Sequence, residues 1–277
     1  MTTIESAASN DLDGSKTVIC RVEDGVATVT LNRPDRLNAM SDDLLRSTLA
    51  IFERLASDDS VRVLILTGNG RGFCAGGDLG AGPGGGTGGE VTREERIGIM
   101  RRFMTTSQLL HTMPKVTIAA VNGPCAGAGM AWACACDLRI AGTSAVFKTA
   151  FLSAGLSGDF GGTWTLSNIV GPARARELYL LNKRVTSEEA LRIGLVSTVC
   201  PDEYLTDTVL SVARDLAAGP ALAIRAMKDN FNDSEVRSFA GLLDAEIRRH
   251  VICMESDDSV EAAASFLAKR APTFTGR

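Results

Sequence analysis

Only two histidines, His111 and His250, occur in 277 residues. A histidine-based triad or a His-rich metal centre is thereby nearly excluded, and no metal site is expected. The seven cysteines contain no Cys-x-x-Cys pair, and Cys134 and Cys136 stand two apart, a spacing that suits neither a zinc clip nor a redox motif. Scattered thiols in apolar stretches read as small hydrophobes in a reducing cytoplasm. There is no basic run and the net charge is −4, so nucleic acid is not an expected partner. A Gly-Lys-Ser/Thr phosphate loop is absent as well. Residues 1–16, MTTIESAASNDLDGSK, lack an apolar segment and read as a disordered leader, not a signal peptide.

What is present is a hydrophobic content of 45%, enough for a large core and one α/β domain with a small appendage. Val116–Cys136 runs for 21 residues without a charge. Length alone would allow a membrane span. Asn122, Gly123 and Pro124 break it, so it reads as buried strand, turn and buried helix, with no membrane partner. TVICRVEDGVATVTL (17–31) holds two strand-like runs about Asp24-Gly25, a hairpin signal. Ser41–Ala56 reads as a helix capped by Ser41, with Leu44, Leu45, Leu49, Phe52 and Leu55 on one face. Strands are expected at 61–67, 115–121, 138–141 and 195–199. Helices are expected at 92–111, opened by a Thr92/Glu95 capping box, at 128–136, and after Thr186 up to Gly194. From Tyr204 the pattern is nearly all helix, ending with 260–270 and a stop at Pro272. The spacing therefore divides the chain into a core over 17–200 and a helical region over 201–277. GAGPGGGTGG (80–89) reads as a surface loop.

Three stretches carry candidate chemistry. Gly70-x-Gly72-x-x-Ala75 mimics a dinucleotide fingerprint, but no helix can start in the glycines that follow it. GRGFCAGGDL (70–79) follows a strand, and NGPCAGAGMAW (122–132) enters a helix. Both are either tight turns or loops that aim two backbone amides at one oxygen, as an oxyanion hole requires. LSGDFGGTW (156–164) sets Asp159 among glycines in an otherwise uncharged stretch. It is either the cap of a helix starting near Gly161 or an acid/base whose pKa is raised by Phe160 and Trp164. Asn232-Asp233-Ser234 is formally a glycosylation sequon, which a cytoplasmic chain would not use.

LNRPDRLNAM (31–40), GFCAGGDL (72–79), IAAVNGPCAGAGM (118–130) and FLAKRAPTFTGR (266–277) together resemble the crotonase, or enoyl-CoA hydratase/isomerase, superfamily. The similarity runs from about residue 17 to the C-terminus. It is nearest to the phenylacetate-type epoxide and enoyl-CoA isomerases. The resemblance implies an α/β fold, a spiral of ββα units with C-terminal helices that trimerise. It implies an acyl-CoA thioester as substrate, no separate cofactor, and a homotrimer or hexamer. It implies that the amides of Ala75 and Ala128 hold the thioester oxygen. It also implies that Arg36, Leu37, Ala39, Ala75, Gly77, Asp78 and Leu79 grip the CoA. Phe266 and Lys269 match positions that meet the CoA nucleotide, often from a neighbouring subunit; otherwise they are an apolar residue and a charge on a terminal helix.

The resemblance also shows departures. The two glutamates of the hydratases fall at Ala131 and Phe151, neither of which can activate water or deliver a proton. Asp159 matches the aspartate of family isomerases. The expectation is an isomerase acting through a thioester enolate with Asp159 as acid/base; a hydratase and a non-catalytic acyl-CoA-binding protein are the alternatives. Phe103, Met130, Ala131, Phe151, Phe160 and Trp164 suggest an apolar acyl pocket, and ordinary core packing explains them equally.

Overall fold

Asp24 and Gly25 take φ of 49° and 76°, the backbone of a two-residue hairpin turn, and join β1 (Val18–Glu23) to β2 (Val26–Leu31). The computed structural model describes residues 16–78, 80 and 91–276. The leader therefore lies outside the described residues up to residue 15, as do Leu79 and residues 81–90 of the Gly-rich loop. Along the chain follow α1 (Asp42–Ser57), β3 (Val63–Gly68), α2 (Arg93–Thr112), β4 (Val116–Val121), β5 (Pro124–Ala126) and α3 (Ala128–Ala135). Then come β6 (Leu138–Gly142), β7 (Val146–Lys148), α4 (Gly162–Val170), α5 (Pro172–Leu181), β8 (Val185–Thr186), α6 (Ser187–Arg192) and β9 (Thr198–Cys200). The chain closes with α7 (Leu205–Ala217), α8 (Ala221–Ser234), α9 (Phe239–Met254) and α10 (Asp257–Leu267).

The main sheet has the order β1-β2-β3-β4-β6-β9; only the β1–β2 pair is antiparallel. Strand alternation fills both of its faces. Leu64 and Leu66 of β3 join a core with α1, α2 and α3, while Val63 and Ile65 join a second core under Leu205, Val209 and Ala213 of α7. A smaller sheet, β5-β7-β8, stands beside the first.

Local signals behave as their chemistry demands. The Ser41 hydroxyl accepts from the Leu44 amide, and Thr92 and Glu95 form a reciprocal capping box. The strand expected over 195–199 is displaced to Thr198–Cys200. Gly194 takes φ of 74°, and the Leu195 and Val196 amides both donate back to the Ala190 carbonyl, closing α6. Those two amides are unavailable to a ladder, so pairing starts later.

One buried cation ties the helical region to the core. Lys228 of α8 is buried and donates to Asp137 Oδ2 at 2.8 Å, and to the Lys115 and Leu110 carbonyls at 2.9 and 3.3 Å. The same Asp137 oxygen accepts from the Thr117 amide at 2.7 Å. Each charge is thereby paired and hydrogen-bonded, which makes its burial tolerable. Among the described residues no helix is long and apolar enough to cross a membrane.

Candidate active site

Two loops meet at the ends of the parallel strands. Leu37 and Asn38 take φ of 48° and 56°, which turns the chain sharply after the Pro34–Arg36 helical turn. The buried Asn38 side chain fixes this turn: its amide donates to the Gly72 and Asn69 carbonyls at 2.7 and 3.0 Å, and its oxygen accepts from the Arg33 amide at 2.8 Å. The Met40 amide donates to the Gly76 carbonyl at 2.8 Å, and the Asp78 amide donates to the Met40 carbonyl at 3.1 Å. The segment holding Arg36, Leu37 and Ala39 thus lies alongside the one holding Ala75, Gly77 and Asp78. The Asp78 carboxylate is engaged as a brace. It pairs with Arg33 at 2.8 Å, and that guanidinium holds its pKa below the usual carboxylate range. Leu79 is outside the described residues.

The register between these loops corrects one expectation. The Ala75 amide is not free to meet a ligand, because it donates to the Leu37 carbonyl at 2.9 Å. Two residues on, the Gly77 amide has no acceptor among the described residues, and Gly77 is exposed. Ala128 is the first residue of α3, after Gly127 with φ of 53°, and its amide likewise has no acceptor among the described residues. The loops touch between them. A β-carbon added to Gly76 would lie 3.4 Å from the Ala128 nitrogen and 2.9 Å from the Ala126 carbonyl oxygen. Glycine at 76, with φ of 91°, is what allows this approach. The uncommitted amides of Gly77 and Ala128 therefore flank one contact, at the positive end of α3.

One turn into α3 stands Ala131, and the Phe151 ring lies 4.0 Å from where a β-carbon on Gly127 would be. The Phe151 ring stacks on Tyr179 of α5 at 6.0 Å and 5°. Asp159 lies on the turn that leads into α4. Its side chain caps nothing: the N-cap of α4 is Gly161, without a side-chain hydrogen bond. The cap alternative is thus not what the chain uses. Instead Oδ1 of Asp159 is buried without a hydrogen-bond partner among the described residues, and burial pushes the carboxyl up to about 6. Phe160 turns inward and meets Trp132 edge-on at 5.9 Å.

Other expected pocket residues separate. Trp164 is not on this wall. It is 42% exposed and packs edge-on against His111 at 5.3 Å, because it sits on the outer side of α4. Phe103 belongs to the core, under the Arg46 guanidinium at 6.0 Å. Met130 packs with Gly127, Ala131, Gly162 and Tyr179 around a narrow gap that has no room for a water molecule. Phe266 and Lys269 are both exposed at the end of α10. Cys74, Cys134 and Cys136 are buried, and burial pushes their thiols up to about 12, 11 and 12, so they are packing rather than nucleophiles. Tyr179 is a wall residue that sequence reasoning misses, since no signal marks α5 apart from the proline at its first turn.

Comparison with known proteins decides the family. The enoyl-CoA hydratase/isomerase model matches residues 21–277. The chain belongs to the enoyl-CoA hydratase/isomerase family. Among curated members, 1,2-epoxyphenylacetyl-CoA isomerase of Escherichia coli (strain K12) is 40% identical, over 94% of this chain and 98% of that protein. A solved structure from Streptomyces coelicolor A3(2) superposes with a TM-score of 0.90 at 32% identity, covering 100% of both chains. The enoyl-CoA hydratase of Bacillus anthracis superposes at 0.87 with 28% identity, covering 94% of this chain and 100% of that one. The crotonase fold expected from the motifs is the fold observed. Members of the enoyl-CoA hydratase/isomerase family carry both names, so membership leaves the reaction to be argued from the residues.

Proposed function

We propose that this protein is an acyl-CoA isomerase that moves a double bond, or opens a strained ring, through a thioester enolate. The observation that carries the reading is a half-buried carboxylate, Asp159, whose Oδ1 is buried and has no hydrogen-bond partner among the described residues, on a wall whose other positions are Ala131 and Phe151. One carboxylate that takes a proton from one carbon and returns it to another is sufficient for such a shift. A pKa of about 6 suits both directions of transfer near neutral pH. The amides of Gly77 and Ala128 are assigned to the thioester oxygen, where they would stabilise the enolate charge. The segments around Arg36–Ala39 and Ala75–Asp78 are assigned to the CoA. A panel of acyl-CoAs incubated in deuterated water and read by mass spectrometry tests this. Exchange at the α-carbon with isomerisation, and little hydration of crotonyl-CoA, is expected; vigorous hydration would transfer the chain to the hydratases.

The assembly is proposed to be a homotrimer, or a hexamer built from two. Helix α9 buries none of its own residues, and Phe231, Phe239, Ile247 and Phe266 stand exposed along α8–α10. Large apolar side chains left exposed on three successive helices call for a covering partner. Phe266 and Lys269 would then reach the CoA of a neighbouring copy. Sedimentation equilibrium is expected to give three or six copies, and an active monomer would remove the claim.

A further inference from the structure

Two polar atoms on the acyl wall lack a hydrogen-bond partner among the described residues: Asp159 Oδ1 and the Tyr179 phenol. The turn over residues 158–162, which carries Asp159, packs along Tyr179. A β-carbon added to Gly158 would lie 3.3 Å from the Tyr179 ring. One added to Gly162 would lie 2.6 Å from the phenol oxygen and 3.0 Å from the Ala131 β-carbon. The turn that carries Asp159 is therefore draped along the tyrosine, and glycine is needed at both ends for the chain to pass so close. The phenol oxygen points toward the space beside the small Ala131 side chain. The ring cannot swing freely, because its other face is stacked on Phe151.

Among the described residues an ionised carboxylate in this place has no counter-charge. No cation contributes to the Asp159 pKa; burial is the influence acting on it. The titratable groups that bear on this corner are Tyr179 from α5 and Cys134 from α3. The thiol is pushed up to about 11 and the phenol higher still, both chiefly by burial, so both stay neutral and the phenol keeps its proton. A buried charge without donors is costly, and the phenol is the donor at hand.

We propose that Tyr179 is the positioning residue for Asp159, its phenol donating a hydrogen bond to the carboxylate whenever that carboxylate carries charge. This rests on Asp159 being the acid/base of the proposed isomerase. The bond favours the ionised form and aims the remaining oxygen at the substrate carbon. It breaks or weakens when the proton arrives, so it acts on the proton transfer more than on acyl-CoA binding.

The test has an arm that needs no turnover. Tyr179→Phe keeps the stacked ring and the packing under Gly158 and Gly162 and deletes only the O–H. The Asp159 carboxyl is titrated by difference infrared spectroscopy, with Asp159→Asn as the blank. The expected result is a rise of about one pH unit in Tyr179→Phe. In parallel, the acid limb of kcat for α-deuterium exchange on 3-hexenoyl-CoA should move upward while KM stays nearly constant. The chain has two tyrosines, and the other, Tyr204, is exposed, so global 3-fluorotyrosine labelling gives a second variant. A more acidic phenol is a stronger donor and should move the titration downward. An unmoved carboxyl titration in both proteins overturns the proposal. A displaced titration in a protein that exchanges no α-proton keeps the Tyr179–Asp159 bond and overturns the isomerase reading instead.

Discussion

Replacing Asp159 by Asn is expected to leave a folded protein that binds acyl-CoA and to reduce isomerisation and α-deuterium exchange together, by about a hundredfold to ten-thousandfold. The Asn amide matches the carboxylate in shape and cannot accept the α-proton. Loss of a cap cannot explain such a result, because Gly161 holds the cap position of α4 and the Asp159 side chain bonds to no part of that helix. Stability provides an independent check with a defined sign. The carboxyl is pushed from 3.8 to about 6 on folding, so between those values the native protein binds more protons than the unfolded chain. Stability of the wild type is full below the unfolded value, and falls as pH rises through the folded one. The cost above pH 6 is at most about 3 kcal/mol, since a tenfold change in an ionisation constant is worth about 1.4 kcal/mol. Asp159→Asn has no such titration. Its melting temperature relative to wild type should therefore climb as pH rises from about 4 to about 6 and then level off. Thermal melts across that range measure it, and a flat difference would mean that Asp159 is solvated in solution.

Much of this arrangement is legible in the sequence. The hairpin at Asp24-Gly25, the Ser41 cap and the Thr92/Glu95 box are short-range chemistry, complete within a few residues, and each appears where its residues stand. Asp159 stands out for the same local reason, an acid in an uncharged glycine-rich stretch. The failures are long-range. Whether Ala75 or Gly77 presents a free amide depends on the register of the 70–78 loop against Leu37 and Met40, which are distant in sequence. Backbone amides carry no residue type by which to tell them apart. Trp164 misleads because it is near Asp159 in sequence, yet the start of α4 between them rotates its side chain to the opposite side. Tyr179 cannot be placed at all, since the packing of α5 against the 158–162 turn is a tertiary fact that no spacing encodes.

A proline at position 128 should cost about a hundredfold to a thousandfold in kcat for exchange and isomerisation, with KM much less affected. The site is unusually well suited to this test. Ala128 is the first residue of α3, where a helix makes no use of the amide hydrogen and proline is commonly accepted. The first intrahelical bond runs from the Ala131 amide to the Gly127 carbonyl and is left intact. Proline therefore removes one donor from the proposed oxyanion hole without breaking a bond that the fold uses, and circular dichroism should remain that of wild type. Ala75→Pro is the contrasting variant. There the lost amide is one that donates to Leu37, so the expected damage is to the packing of the two loops, seen as a lower melting temperature. If a folded Ala128→Pro protein turned over normally, the enolate oxygen would have to be held elsewhere, and the assignment of Gly77 as its partner would fall with it.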